Sequence, residues 1–163
     1  MPETNWIRIE NTEKLSTQGQ MIFRHQGKQI LLIQQGDHIF AVNNRCPHEG
    51  YPLSEGSLSQ DCTLTCNWHN WKFDLLSGKT VVGGDTLRPY PLRRDGEVLW
   101  VDVQDAPEGQ RQHQALDNIQ ASFQRYEYDR MARELGRLKQ AGGRYTQAVA
   151  DSIRRNYDRF EYG

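Results

Sequence analysis

The chain has 163 residues, a formal net charge of −1 and three cysteines. That length accommodates one domain with a full core and a smaller appendage. The near-neutral balance removes the electrostatic case for nucleic acid or an anionic membrane surface, and no apolar run is long enough to span a bilayer. The opening Met1-Pro2-Glu3-Thr4-Asn5 shows no basic n-region and no apolar h-region. With an odd cysteine count, this argues against a secretory signal and a disulfide framework, so the expected location is cytoplasmic.

Residues 1–105 are expected to form short strands. Trp6-Ile7-Arg8-Ile9 is the first. Met21 to Gln26 and Gln29 to Gln34 flank Gly27-Lys28, which suits a tight hairpin turn. Gln35-Gly36-Asp37 then turns into His38-Ile39-Phe40-Ala41-Val42. Cys62-Thr63-Leu64-Thr65-Cys66 and Trp71-Lys72-Phe73 alternate as half-buried strands do. Asp74 to Lys79 contains a Ser-Gly turn, with Asp74 as a turn residue. Tyr90-Pro91-Leu92 and Glu97 to Val103 close the series around Arg93-Arg94-Asp95-Gly96. Strands this closely spaced point to a small antiparallel barrel or sandwich, with Trp6 and Trp100 as core aromatics.

Residues 106–113 read as a linker, because Asp105-Ala106-Pro107-Glu108-Gly109 combines Pro and Gly with polar neighbours. Residues 114–163 have helical period. Leu116, Ile119, Phe123 and Tyr126 form one stripe. Tyr128, Met131, Leu135 and Leu138 form another, shifted around the axis. After Ala141-Gly142-Gly143, Tyr145, Val149, Ile153, Tyr157 and Phe160 form a third. The expectation is an αα-hairpin of two amphipathic helices. Its arginines interleave with acids and read as a solvated face, the alternative being a docking surface for an acidic redox partner. The tyrosines Tyr126, Tyr128, Tyr145 and Tyr157 are candidates for burial.

Two stretches carry chemistry. Cys46-Pro47-His48 and Cys66-Asn67-Trp68-His69 each offer one thiolate and one imidazole, with 17 residues between His48 and Cys66. Zinc accepts four such ligands, so the ligand set alone permits a structural zinc. A binuclear iron–sulfur cluster uses the same residues differently, with both thiolates on one iron and both imidazoles on the other. The short C-x-H step, with rigid Pro47 between the ligands, favours the cluster. Cys62 lies four residues before Cys66, too far along a strand to share its metal, and reads as a small buried hydrophobe. His25, His38 and His113 lack partners at ligand spacing and read as ordinary polar residues.

Cys46-Pro47-His48-Glu49-Gly50-Tyr51-Pro52-Leu53 resembles the C-P-H-x-G-x-x-L of the Rieske 2Fe-2S family. Cys66-Asn67-Trp68-His69-Asn70-Trp71-Lys72-Phe73-Asp74 resembles its C-x-x-H-x-W-x-F-D. The resemblance covers roughly residues 5–105. It departs at Asn67, often Pro in the family, and at Asn70, often Gly. It implies an antiparallel β domain with a cluster-binding subdomain, and a 2Fe-2S cluster held by Cys46, His48, Cys66 and His69. High-potential members carry an extra cysteine in each loop, paired as a disulfide, where this chain has Tyr51 and Trp68. They also place Ser and Tyr hydroxyls near the sulfides, where this chain has Trp71 and Phe73. Hydrogen bonds to sulfur raise the potential. Their loss predicts the low end of the Rieske range, about −150 mV rather than about +300 mV, as in the ferredoxins and oxygenases of ring-hydroxylating systems.

A terminal oxygenase also needs a mononuclear iron held by two His and a carboxylate. With His48 and His69 committed, His25, His38 and His113 make no such site. The expected function is therefore non-catalytic, one-electron transfer as a ferredoxin component. It would draw on a reductase and pass the electron to an oxygenase or other oxidase. The alternative is the Rieske module of a larger oxidoreductase or assembly, with the helical segment as an interaction or fusion element. The helices are expected to contact the β domain, a second copy or a partner. His48 and His69 are the expected electron exit, rimmed by Pro52, Leu53 and Trp71.

Overall fold

A computed structural model describes residues 4–157. The chain divides after Gln104 into two compact units. Among the described residues the first contains ten strands: β1 Trp6–Arg8, β2 Gln20–His25, β3 Lys28–Gln35, β4 His38–Asn43, β5 Ser57–Leu58, β6 Thr63–Thr65, β7 Lys72–Asp74, β8 Thr80–Val82, β9 Leu92–Asp95 and β10 Val98–Asp102. They form three antiparallel sheets, ordered β1-β10-β9, β2-β3-β4 and β5-β6-β7-β8.

The middle sheet organises the unit through β3. Its Ile30-Leu31-Leu32-Ile33 is a continuous apolar run, and strand side chains alternate faces. All four are buried, so both faces are covered. Ile30 and Leu32 join Ile9, Leu15, Tyr90, Leu99 and Val101 in one core. Leu31 and Ile33 join Leu53, Leu64, Phe73 and Leu87 in another, which also includes Cys46 and Cys66. The two cysteines thus sit on a wall built from the second face of the middle sheet.

Several boundaries differ from expectation. The β2–β3 turn falls at Gln26-Gly27, one residue early, because Lys28 pairs with His25 in the ladder. Gln26 and Gly27 both take positive φ, 46° and 78°, as a two-residue hairpin turn of this hand requires. Cys62 lies outside β6 with φ 62° and is buried. Helix α1 (Glu13–Gln18) and the short strands β5 and β8 have no counterpart in the sequence reading. Trp6 and Trp100 are half-buried rather than core, and the Arg93 guanidinium lies over both rings, 4.9 and 5.6 Å from their centroids.

The second unit has three helices among the described residues, not two: α2 Glu108–Gln124, α3 Tyr128–Gln140 and α4 Tyr145–Arg155. The break between α2 and α3 falls at Tyr126, whose φ is 60°. A straight helix would put Tyr126 and Tyr128 about 200° apart around its axis, and the chain breaks there instead. Residues 108–113, expected as linker, begin α2. Pro107 just outside a helix start and Glu108 in its first turn are a start signal.

The buried faces of α2 and α4 are also rotated from the expected stripes, whereas in α3 Leu138 is buried with Met131 and Leu135 packed against it, as expected. Helix α2 buries Ala115, Ile119 and Ser122, and α4 buries Ala148 and Ser152. Small side chains let short helices approach closely, so the large ones flank the contact. Leu116, Tyr126, Tyr128, Tyr145, Ile153 and Tyr157 are accordingly exposed. Glu134 is buried in α3 and paired with Arg137 one turn on. Phe160 lies outside the described residues.

Candidate metal centre

The two ligand stretches fold into the same turn. In the first, the Cys46 N–H donates to the Tyr51 carbonyl (2.9 Å) and the Gly50 N–H to the Cys46 carbonyl (2.8 Å). In the second, the Cys66 N–H donates to the Trp71 carbonyl (2.8 Å) and the Asn70 N–H to the Cys66 carbonyl (2.9 Å). The fifth residue of each turn is left-handed: Gly50 at φ 79° and Asn70 at 58°. Asparagine is among the few non-glycine residues that visit this region routinely, so the departure at Asn70 preserves the loop. Histidine occupies the third position of one turn and the fourth of the other.

These turns bring the four expected ligands together as two pairs. Cys46 and Cys66 are buried, at 3 % and 1 % exposure. The Cys46 thiol lies within hydrogen-bonding reach of Cys66 and receives the backbone N–H groups of His48 and Glu49. Burial, the largest influence, pushes the Cys46 thiol up to about 11, and the neighbouring Cys66 adds to this. Such a thiol ionises near neutral pH only if a cation takes the proton's place. The imidazoles of His48 and His69 meet Nδ1 to Nδ1 at 3.0 Å.

The two pairs do not converge on one point. Among the described residues, the ligand atoms that all lie within 4.8 Å of one another belong to His48, Glu49 and His69; neither sulfur joins that set. A tetrahedral zinc would draw all four donors within such a radius. A group with sulfur-ligated and nitrogen-ligated ends suits the separation.

Aromatic rings frame the imidazoles. Trp71 stacks on His48 at 4.5 Å and 16°. His48 meets His69 edge to face at 4.5 Å. Trp68 stacks on His69 at 5.0 Å and 21°, and Tyr51 backs Trp68 at 5.5 Å. Each histidine is thus flanked by its own indole. Behind Trp71 lies Gly83, where a Cβ would fall 2.6 Å from the indole, so glycine is needed for the approach. His69 is exposed and His48 half-buried. Leu53, expected in the rim, is fully buried in the second core, and Trp68 is the exposed aromatic instead.

Two asparagines hold the loops. Asn44 is buried, and its Oδ1 accepts the Ser54 N–H (2.8 Å) while its own carbonyl accepts the Leu53 N–H (2.7 Å). Asn67 accepts the Ser57 hydroxyl (2.8 Å) and donates to the Glu55 carbonyl (3.0 Å), fastening the second loop to the segment after the first. Neither role was read from the sequence, nor was Glu49, whose Oε2 lies 3.8 Å from His69 Nε2. The other histidines stay apart: His25 and His38 stack on Phe23 and Phe40, and His113 faces Asp117.

This fold and donor set define a class, and comparison with known proteins identifies it. The Rieske [2Fe-2S] domain pattern matches residues 5–91, and the chain belongs to that family. It is 34 % identical over 79 residues to the 3-phenylpropionate/cinnamic acid dioxygenase ferredoxin subunit of Escherichia coli, covering 47 % of this chain and 74 % of that protein. In fold it resembles the ferredoxin of carbazole 1,9a-dioxygenase from Nocardioides aromaticivorans, with a TM-score of 0.52 and 22 % identity over 60 % of this chain and 96 % of the other. It also resembles a chain in the complex of reduced oxygenase and oxidized ferredoxin in carbazole 1,9a-dioxygenase, with a TM-score of 0.54 and 18 % identity over 62 % and 95 %. The chain is a Rieske-type electron-transfer protein with a 2Fe-2S cluster. No helix among the described residues is long and apolar enough to cross a membrane.

Proposed function

We propose that Cys46, His48, Cys66 and His69 hold the 2Fe-2S cluster, thiolates at the buried end and imidazoles at the surface end. The observation that carries this is the separation of the donors into a thiol pair and an imidazole pair. When bound, the cluster supplies one-electron redox chemistry. The chain's own residues position the ligands, exclude water from the sulfur end and expose His69 to an incoming partner. In this reading residues 1–104 are the redox domain, and the second unit, whose helices begin at Glu108, serves partner contact or self-association.

The proposed cellular role is that of a cytoplasmic ferredoxin, reduced by a reductase and oxidised by an oxygenase. The name of the Escherichia coli relative and the carbazole complex support it. The proposed potential is low. Phe73 and Trp71 bring no hydroxyl to the site, and the Tyr51 hydroxyl is engaged with Glu55 at 3.1 Å. A redox titration followed by visible absorption tests both parts. The expected result is a coloured cluster titrating near the low end, about −150 mV. A clearly positive potential overturns the low-potential reading, and zinc without colour overturns the cluster assignment.

A further inference from the structure

Strand β2 is the edge of the middle sheet, paired with β3 alone among the described residues. The register fixes which of its main-chain groups are used. The Gln34 N–H donates to the Gly19 carbonyl, and opposite residues in an antiparallel ladder alternate between bonded and non-bonded pairs. Met21, Phe23 and His25 are therefore the bonded partners of Leu32, Ile30 and Lys28. Gln20, Ile22 and Arg24 turn their N–H and C=O groups away from β3, toward the edge. Natural edges are commonly blunted by proline, a bulge or very short length. Strand β2 has six residues, no proline and an unbroken register.

A groove of about 530 Å³ follows this edge, lined by five consecutive β2 residues, Gln20 to Arg24. Successive strand side chains point to opposite faces. A cavity that touches all five therefore lies along the strand's edge rather than on one face. Lys14 and Gln18 of α1 line it on one side and Ser54 of the 3-10 turn on another. Met21, Ile22 and Phe23 are half-buried and make its walls apolar. Its charges do not balance. Lys14 and Arg24 are exposed, and neither is ion-paired among the described residues. Glu10, the one acid in the lining, lies 4.0 Å from Arg8.

We propose that this groove takes an extended acidic segment of a partner protein, which adds to β2 as a further strand of the middle sheet. Main-chain hydrogen bonds to Gln20, Ile22 and Arg24 supply the affinity, and the side-chain pattern supplies the selectivity. Apolar residues of the segment pack on Ile22 and Phe23, and its carboxylates meet Lys14 and Arg24. A second copy of β2 fits less well, since it brings the same unpaired cations into a groove that already holds two. None of the four proposed cluster ligands takes part, so this site stands apart from the reading of the metal centre.

The test uses the holoprotein and, as probe, a capped peptide of alternating glutamate and valine, read by amide hydrogen exchange at low ionic strength. With peptide at about ten times its Kd, exchange of the Ile22 and Arg24 N–H groups should slow about tenfold. The Met21 and Phe23 N–H groups, already in the ladder, should change little. Lys14→Glu with Arg24→Glu, both at exposed positions, should raise Kd about tenfold or more, because like charges then face each other. Added salt should weaken the wild-type complex. A fully N-methylated peptide keeps the side chains but cannot donate, and should not bind. No protection of Ile22 and Arg24 by the glutamate–valine peptide would overturn the proposal. So would equal binding of the N-methylated peptide, or of one with lysine in place of glutamate. Protection of the same two amides without peptide, rising with protein concentration, would assign the edge to a second copy and also overturn it.

Discussion

The two ligand loops share one backbone turn and differ in what holds it. The first, residues 46–51, is fixed from below by Asn44, a buried side chain that also accepts through its main chain. The second, residues 66–71, is fixed from the side by Asn67, an exposed residue reaching across to Glu55 and Ser57. Their histidines differ in the same sense. His48 is half-buried between His69 and Trp71, while His69 is exposed beside Trp68. Both cysteines are buried, so the loops differ at their tips, where the second is the more exposed.

The largest expected effect erases that difference. His48→Ala and His69→Ala should each abolish the Rieske visible and electron-paramagnetic spectra, because either change leaves one imidazole where two are needed. Retention of a Rieske spectrum in either variant would sink the four-ligand assignment. The asparagines separate the loops again. Asn44→Ala leaves the Ser54 N–H without its partner in a buried setting, which costs about 1–3 kcal/mol. Asn67→Ala removes exposed hydrogen bonds and should cost below about 1 kcal/mol. Denaturant unfolding measures both, and equal losses would contradict the core-and-surface distinction.

Gly83→Ala probes the support of the first loop's histidine. The new Cβ would meet the Trp71 indole at 2.6 Å, and relieving that overlap costs about 1–3 kcal/mol. The Trp71 ring must shift, and with it the face on which His48 stacks. Stability should fall and the histidine-sensitive spectral features should move together. A loss of stability with an unaltered spectrum would show that Trp71 does not position His48. Gly50→Ala and Asn70→Ala compare the two turns directly. Alanine at a left-handed position costs about 1–2 kcal/mol. Asn70→Ala should cost less than Gly50→Ala, since asparagine already bears part of that strain.

The four proposed ligands could be picked out because their chemistry is written in residue type and spacing, and the shared turn accommodates both spacings. The central strand was legible from Ile30 to Ile33, since a continuous apolar run in a short strand requires cover on two faces. What was not legible depends on distant chain. Asn44 reads as a loop residue until Leu53 and Ser54 return to it. Leu53 reads as rim until the second core closes over it. Trp68 stands where the resemblance implied only a missing cysteine, and its stacking on His69 follows from the turn geometry. In the helical unit the α3 stripe packs inward through Met131, Leu135 and Leu138, while those of α2 and α4 are rotated. Close packing of short helices selects Ala115, Ser122, Ala148 and Ser152, a choice that hydrophobic period alone does not express.

The smallest effect lies in the return from the second loop. After β7 the chain reverses through Asp74, whose carboxylate accepts the Ser77 hydroxyl (2.5 Å) and the Leu76 N–H (3.0 Å). The Ser77 hydrogen bond, the largest influence, holds the Asp74 carboxyl below its ordinary value of 3.8. The charged form is thus favoured in the folded chain. Its contribution to stability is fully present above the unfolded value near 3.8 and is lost as pH falls through the lower folded value. The first loop has no counterpart, since it runs directly into the 3-10 turn Leu53–Glu55. Acid should therefore loosen the stem of the second loop while Asn44, which does not titrate, keeps the first in place. Carbon-detected NMR titration of Asp74 measures this. Ser77→Ala should move the Asp74 midpoint up toward 3.8 and leave the backbone signals of residues 44–54 unchanged through the same pH range. If the midpoint stays low without the Ser77 hydroxyl, the Leu76 N–H is the controlling donor and the turn is set by its backbone alone.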